Sequence, residues 1–135
     1  MNEEKKVIEF YILANKLKNV IRSGWKIWKV KRERLESVAE HIYGVQMLAI
    51  AIYSQYKYDI DIKKVILMLA IHEIEEIYIG DLTQFEISIN EKRKMGSEAV
   101  KKVLKNLLKK EELENLINEF EKKRNKRSNI CPSLR

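Results

Sequence analysis

The chain has 135 residues, of which 45% are hydrophobic and 35% are charged, and its formal net charge is +7. This length and composition favour one soluble globular domain with a core of its own. With one proline and four glycines, the chain has few of the turn residues that a many-stranded sheet needs, and long stretches show the periodicity of a helix instead. The longest uncharged run, residues 42–56, is shorter than the roughly 18 residues that suggest a membrane-spanning helix.

The cysteine content and the N-terminus bear on the cellular compartment. Cys131 is the only cysteine, so an internal disulfide is excluded and a reducing cytoplasm is the expected location. The N-terminal MNEEKK leads into an amphipathic pattern with no continuous apolar run, which is not typical of a signal peptide. We therefore predict a cytoplasmic protein without a membrane segment.

The positive charge is concentrated at the C-terminus. Residues 122–135, KKRNKRSNICPSLR, contain six Lys or Arg and no acid, and the rest of the chain has 21 basic and 20 acidic residues. Such a run is typical of a solvated or disordered tail, and the alternative is attraction to a polyanion. We predict a helical domain over residues 1–121 and a poorly ordered basic tail over residues 122–135, and nucleic-acid binding ranks last among the functions considered.

The first half of the chain predicts two helices. Residues 4–20 place apolar side chains close to helical spacing, whereas residues 21–36 lack a clean period and predict a structured loop or short turns. Ser37 then begins a helix that runs to about Gln55. Its SVAE stretch is a capping box, in which the Ser37 hydroxyl accepts from the backbone N–H of Glu40.

The second half predicts three more helices with a loop over residues 82–89. Their bounds are set by cap residues and a glycine stop: Asp61 to Gly80, Asn90 to about Lys109, and Glu111 to about Lys123. No internal repeat or domain linker separates them. The predicted fold is all-α, a single bundle-like domain of about five helices.

One of the chain's two histidines lies on an apolar helix face. In the helix that begins after Ser37, His41 is three residues after Val38 and four before Val45. These spacings place His41 on the apolar stripe of that helix. The sequence therefore predicts that His41 faces the core.

The other histidine lies among glutamates. On the helix that begins at Asp61, the apolar stripe continues by threes and fours into His72, Glu73 and Glu76. Glu75 is predicted to project to a different side, into solvent. Burial of an unpaired carboxylate costs several kcal/mol, and a divalent cation offsets that cost through imidazole and carboxylate ligands. The alternative is a hydrogen-bonded core histidine with glutamates that curl into water, and the spacing alone leaves both open.

Two motifs resemble a known family. ESVAEH at 36–41 and IHEIEEIYIGD at 71–81 resemble the HD-domain metal-dependent phosphohydrolases, in particular the 5′-deoxynucleotidase-like branch with its pattern ESVAEH…HDxxEixxGD. LKNVIRSGW at 17–25 is similar to the entry segment of that branch. The resemblance covers about residues 10–121, and the combination of both motifs makes it specific.

The resemblance implies an HD-type fold and a set of site residues. Those matched to functional positions are His41, His72 and Glu73 as metal ligands, Glu76 and Asp81 as catalytic acids or bases, and Arg22 and Trp25 beside the substrate phosphate and sugar. The implied cofactor is one divalent metal ion, with Mn, Co, Mg, Fe and Zn not distinguished. Such an ion lowers the pKa of water and offsets charge as the P–O bond breaks.

The chain departs from the family pattern at two points. Glu73 stands where the family has Asp, so its carboxylate is one methylene further from the backbone. The family also has a fourth ligand, an Asp on a later helix, and no acid follows Glu121 here. The last residues, RNKRSNICPSLR, match nothing in the pattern, so we expect the bundle to lack the family's C-terminal helices.

The resemblance predicts a metal-dependent phosphohydrolase that removes the 5′-phosphate from (deoxy)nucleoside monophosphates or acts on another small phosphomonoester. The alternative is an HD-fold binding protein without turnover, because the fourth metal ligand is missing. A homodimer is implied by the resemblance alone.

Overall fold

The computed structural model describes residues 2–24, 34–82 and 87–130, with side chains described as far as Arg124. Its helices in chain order are α1 (Glu3–Ala14), a 3₁₀ helix (Asn15–Asn19), α2 (Val38–Gln55), α3 (Ile62–Ile71), α4 (Glu76–Ile79), α5 (Ile89–Leu104) and α6 (Lys110–Ile130). Five of the α-helices are long and α4 is a single turn, so the all-α prediction of about five helices is confirmed. None of the described helices combines the length and apolar character needed to cross a membrane.

Side-chain caps begin α2, α3 and α5. Ser37 Oγ accepts from the backbone N–H of Glu40 at 3.2 Å, and Asp61 Oδ1 accepts from that of Lys64 at 3.2 Å, so both predicted caps are confirmed. The predicted cap at Asn90 is wrong, because Ser88 is the N-cap of α5 and accepts from Glu91. Its SINE stretch is itself a capping-box pattern, which leaves Asn90 inside the first turn.

The predicted helix from Asp61 to Gly80 is interrupted. After α3 ends at Ile71, backbone hydrogen bonds join residues three apart, from Ile74 to Ile71 and from Glu76 to Glu73. The carbonyl of Leu69, which would accept from Glu73 in a continuous α-helix, lies 2.7 Å from Nδ1 of the His72 side chain instead. The prediction of one continuous helix is therefore wrong, and the tightened turn rotates every side chain after His72.

The last helix is longer than predicted. Helical backbone in α6 continues to Ile130, past the expected end at about Lys123. Lys64 of α3 pairs with Glu119 of α6 at 2.9 Å, which ties the two helices together. The division of the chain at residue 121 stays a prediction.

Two hydrophobic clusters form the described core. The larger contains residues of α3, α5, α6 and the turn after α3: Ile71, Ile74, Val100, Val103, Leu104 and Ile117. The smaller contains Leu17, Val38 and Ile42. Ile77 of α4 packs against both clusters. This short helix, directly after His72 and Glu73, is thereby held in the middle of the domain.

A short backbone pairing joins the segment after the 3₁₀ helix to the start of α2. Ile21 and Ser37 form an isolated antiparallel bridge, and the N–H of Val38 donates to the carbonyl of Val20 at 2.7 Å. The N–H of Arg22 donates to Glu36 at 3.1 Å. Because the backbone is fixed on both sides of Arg22, its side chain lies beside the first turn of α2.

Two glycines near the site should respond in opposite directions to alanine. Gly80 ends α4 with φ 68°, a conformation that alanine rarely adopts, so the predicted glycine stop is confirmed. Gly96 lies inside α5, where an added Cβ would meet only Cγ of Glu75 at 3.6 Å, an ordinary contact. We expect Gly80→Ala to lower the free energy of unfolding by about 1–3 kcal/mol and Gly96→Ala to raise it by about 0.5–1 kcal/mol. Urea denaturation of both variants measures this, and equal effects would contradict it.

Candidate functional site

The two histidines and Glu73 are neighbours. His41 comes from the first turn of α2, while His72 and Glu73 begin the turn between α3 and α4. His72 Nε2 lies 3.3 Å from Glu73 Oε1. The charges of His72 and Glu73 both act on the pKa of His41, so the fold brings the three predicted metal ligands to one region.

His72 is buried and oriented from two sides. Its Nδ1 lies 2.7 Å from the Leu69 carbonyl, an acceptor, so Nδ1 carries a proton and Nε2 faces Glu73. The Phe120 ring of α6 covers the imidazole, with ring centroids 4.5 Å apart. Burial alone would lower the pKa of His72, but the hydrogen bond and charge of Glu73 outweigh it and raise that pKa. The contact with Glu73 therefore favours the protonated form of His72.

Glu73 completes this ion pair. Burial tends to raise the pKa of its carboxyl group, but the hydrogen bond from His72 and the charges of His72, His41 and Arg22 lower it overall. Glu73 is therefore ionised at neutral pH. An ionised carboxylate beside an imidazole nitrogen is a suitable pair of ligands for a divalent ion, which would replace the proton on Nε2.

His41 is held by an arginine. Arg22 Nη1 lies 2.9 Å from His41 Nδ1 and 3.2 Å from Glu36 Oε1. A guanidinium only donates, so Nδ1 accepts and the neutral ring carries its proton on Nε2. Burial and the Arg22 charge lower the pKa of His41, against opposing effects of Glu73 and Glu36. His41 is therefore neutral, the protonation state that a metal ligand needs.

Glu76 is the most deeply buried acid of the site, with 6% of its surface exposed. Its Oε2 has no hydrogen-bond partner among the residues that the structure describes. Burial, followed by the charges of Glu73, Asp81 and Glu75, raises the pKa of Glu76 to about 9. A carboxyl group with this pKa is neutral at pH 7, and a positive charge in the site would favour its ionised form.

The prediction that Glu75 lies in solvent is wrong. Its Oε2 is buried and accepts no hydrogen bond from any described residue, and its Cγ lies next to Gly96 of α5. Burial, then the charges of Glu121 and Glu73, raises the pKa of Glu75 to about 7. The interrupted helix explains the error, because the angles assumed for a continuous helix no longer apply after His72.

Asp81 is fixed to the segment that carries Arg22. Its Oδ2 accepts from the backbone N–H of Ser23 at 2.7 Å, and its backbone carbonyl accepts from Ser23 Oγ at 2.7 Å. Lys92 of α5 donates to the carbonyl of Leu82 at 2.7 Å and so holds the next residue. These contacts place the Asp81 carboxylate within electrostatic range of Glu76.

The side chains of the site are of the types that bind a divalent ion, but the positions that the structure describes for them do not form a coordination sphere. Two imidazoles and several carboxylates share one region, and two of those carboxylates have an orphaned buried oxygen that a cation would satisfy. Over the described parts of the chain, however, no three His, Cys, Asp or Glu side chains are arranged to hold a metal ion. Arg22 on His41 and the His72–Glu73 contact occupy the nitrogens that an ion would use. Convergence of these ligands on one ion stays a prediction.

Sequence reasoning did not assign a role to three residues of this site. Glu36 is the first residue of ESVAEH and Ser23 lies in LKNVIRSGW, so the motifs contained both without indicating their contacts. No sequence pattern indicated that Glu75 is buried, because the spacing of a continuous helix places its side chain in solvent. Trp25, predicted to lie beside the substrate, is outside the residues that the structure describes.

Fold and site together define a class. The domain is all-helical, and the histidine of one helix lies near an adjacent His–acid pair at the end of the next helix. Further acids follow that pair in the chain. This arrangement is typical of proteins of the HD type. The chain belongs to the HD domain family, whose model matches residues 14–134. The match extends past Glu121, so the expectation that the last residues resemble nothing in the family is wrong.

Two curated relatives carry the name 5′-deoxynucleotidase HDDC2. The protein of Dictyostelium discoideum is 30% identical over 69% of this chain and 51% of its own length. The human protein is 27% identical over 73% of this chain and 47% of its own length. The predicted likeness to the 5′-deoxynucleotidase-like branch is confirmed, and the chain spans about half the length of these relatives.

A solved structure is similar to the whole bundle. A conserved hypothetical protein from Pyrococcus furiosus superimposes with a TM-score of 0.69 at 31% identity, over 85% of this chain and 66% of that protein. The family match identifies this helical architecture as the HD-domain fold, and the solved structure shares it.

Proposed function

We propose that the chain is a metal-dependent phosphohydrolase that removes the 5′-phosphate from deoxynucleoside or nucleoside monophosphates. The observation that carries the proposal is Glu76, a buried carboxyl group with a raised pKa, which lies within electrostatic range of Glu73 and Asp81. Perturbed acids gathered beside candidate ligands are typical of catalytic sites. The names of the two relatives support the choice of substrate.

Different residues of the site would bind the metal and exchange the proton. His41, His72 and Glu73 would hold the divalent ion, which when bound supplies a Lewis acid for phosphate and water. Glu76 or Asp81 would exchange a proton with the attacking water or the departing 5′-oxygen. The backbone N–H of Ser23 donates to Oδ2 of Asp81 and so fixes the direction of this carboxylate.

Arg22 would serve the substrate phosphate. It already lies beside His41, and its side chain is 37% exposed, so it can reach a ligand from the edge of the site. A guanidinium binds phosphate oxygens through two parallel hydrogen bonds. Transfer of Arg22 from His41 to the phosphate would also free Nδ1 of His41, which would couple substrate binding to the ligand set. The role of Trp25 beside the sugar stays a prediction.

The direct test is phosphate release from deoxynucleoside monophosphates, with and without added Mn²⁺ or Co²⁺. We expect release that depends on the metal, is lost with a chelator, and is slower for a simple phosphomonoester that lacks base and sugar. No release with any of these metals would favour the alternative, a binding protein without turnover. The contacts of Arg22 with His41 Nδ1 and of Glu73 with His72 Nε2, two nitrogens that an ion would use, are the observations that support this alternative.

Metal binding has its own expected result, independent of turnover. Addition of Mn²⁺ at about 100 times its dissociation constant should stabilise the protein by about 2.7 kcal/mol and raise its melting temperature. His41→Ala and Glu73→Gln should each remove most of that rise, while Glu112→Gln, an exposed site on α6, should keep it. An equal rise in all four proteins would place the metal elsewhere.

Self-association and location remain to be tested. Several large apolar side chains of α2 are exposed, among them Tyr43, Met47 and Leu48, and such patches favour protein contacts. A homodimer through this face agrees with the prediction from resemblance, and sedimentation would decide it. The cytoplasmic location stays a prediction.

A further inference from the structure

A second cavity lies between α1 and the end of α5. Its volume is about 270 Å³. Its apolar floor consists of Phe10, Leu13, Val103 and Leu107, of which Val103 is a buried core residue and the others pack against the larger hydrophobic cluster. No residue of the candidate active site lines this groove, so it is a separate feature of the fold.

The rim of the groove is strongly cationic. The lysines that line it are Lys6, Lys16, Lys102 and Lys105, against Glu9 as the only lining acid. Lys102 Nζ lies 4.2 Å from the centre of the Tyr78 ring. Lys6 pairs with Glu3, whereas Lys16 and Lys105 form no ion pair with any residue within the described ranges. Like charges gathered around a concave apolar floor attract a counter-ion.

The floor and the rim together specify the chemistry of a ligand. An apolar floor favours a hydrocarbon or aromatic body, and the lysines favour a carboxylate or phosphate at its edge. The volume of about 270 Å³ lies just below the range of ligand cavities, which begins at about 300 Å³, so only a small ligand would fit. Asn106, half-buried in the lining, offers an amide that no described residue uses. We propose that this groove binds a small organic anion, with one anionic group on a short apolar body.

Four probes test this ligand class on the full chain by NMR titration. Octanoate and 1-naphthyl phosphate each combine an anionic group with an apolar body, which is an acyl chain in the first and an aromatic ring in the second. The probe that binds more tightly identifies which kind of apolar body the groove prefers. Inorganic phosphate lacks the body and 1-octanol lacks the charge. We expect at least one amphipathic anion to shift the amide signals of Leu13, Val103 and Leu107, and the two incomplete probes to bind more weakly. Inorganic phosphate binding as tightly as both amphipathic anions would overturn the proposal.

Charge reversal then tests the rim. The double variant Lys16→Glu/Lys105→Glu should weaken binding about tenfold, since each exposed charge contributes modestly. The matched control Lys57→Glu/Lys63→Glu changes the net charge equally at exposed sites outside the groove and should bind as the unaltered chain does. Equal binding by both variants would mean that Lys16 and Lys105 only complement the negative ends of α1 and α5, and it would overturn the proposal. Shifts confined to residues around His41 and His72 would overturn it as well.

Discussion

Glu76→Gln should lower phosphate release by roughly 10²–10⁴-fold, the usual contribution of a positioned general acid or base. The amide keeps the size and shape of the side chain but cannot exchange a proton at neutral pH. Because the Glu76 carboxyl is neutral in the metal-free fold, its pKa being about 9, the amide also preserves the charge of the site. We therefore expect the melting temperature without metal to stay the same or to rise.

Two controls separate catalysis from folding and metal binding. Glu112→Gln makes the same chemical change on the exposed face of α6 and should leave phosphate release unchanged. The rise in melting temperature with Mn²⁺ should persist in Glu76→Gln, since His41, His72 and Glu73 are intact. Full activity in Glu76→Gln would show that Glu76 only packs the site, and it would transfer the proton-exchange role to Asp81.

In the presence of a chelator, the free energy of unfolding should fall as the pH rises from about 5 to about 9. The pKa of Glu75 is raised from 4.5 to about 7 and that of Glu76 from 4.5 to about 9. The folded chain therefore binds protons that the unfolded chain has already released. Between its unfolded and its folded pKa, each carboxyl group lowers the free energy of unfolding by ~1.4 kcal/mol per pH unit. This range ends near pH 7 for Glu75 and near pH 9 for Glu76.

The histidines modify this trend in opposite directions. The raised pKa of His72 adds to the loss of stability at rising pH, and the lowered pKa of His41 opposes it. Chemical denaturation at a series of pH values measures the sum. The double variant Glu75→Gln/Glu76→Gln should flatten the curve, and Glu112→Gln should not. A flat curve in the unaltered protein would mean that both carboxyls reach water or a cation in solution.

Added metal should reverse the slope. A divalent ion binds the deprotonated ligands, so its affinity rises with pH and protons are released on binding. The gain in melting temperature with Mn²⁺ should therefore be larger at about pH 8 than at about pH 6. Because Glu73 is ionised at both pH values, we expect this dependence to come from protons on the other groups of the site, chiefly His72.

Features that depend on a few neighbouring residues could be predicted from the sequence. Ser37 and Asp61 cap their helices through bonds to backbone groups three residues away, and Gly80 ends α4 because its φ favours glycine. The alignment of His41, His72 and Glu73 with family positions followed from two short motifs. Each of these inferences involves only local geometry or a direct match of residue types.

Features that depend on helical continuity were less predictable. The apolar residues of α1, for example Val7 and Tyr11, are more than half exposed, whereas Phe10 and Leu13 face the core. Glu75 was placed in solvent because the spacing assumed an unbroken helix through His72. Between α3 and α4 the backbone hydrogen bonds join residues three apart, and the side chains of this turn therefore point in directions that an unbroken α-helix does not give.

The sequence by itself determined that this protein is an all-helical member of the HD domain family with two histidines and several acids at matching positions. Only the tertiary structure decided the state of those groups. The pairing of Ile21 with Ser37 brings Arg22 onto His41, and Phe120 of α6 covers His72. Burial, followed by the charges of Glu73 and Asp81, raises the pKa of Glu76 to about 9. The physical reason is that desolvation and Coulomb interactions depend on distances between segments far apart in the chain, which no local pattern encodes.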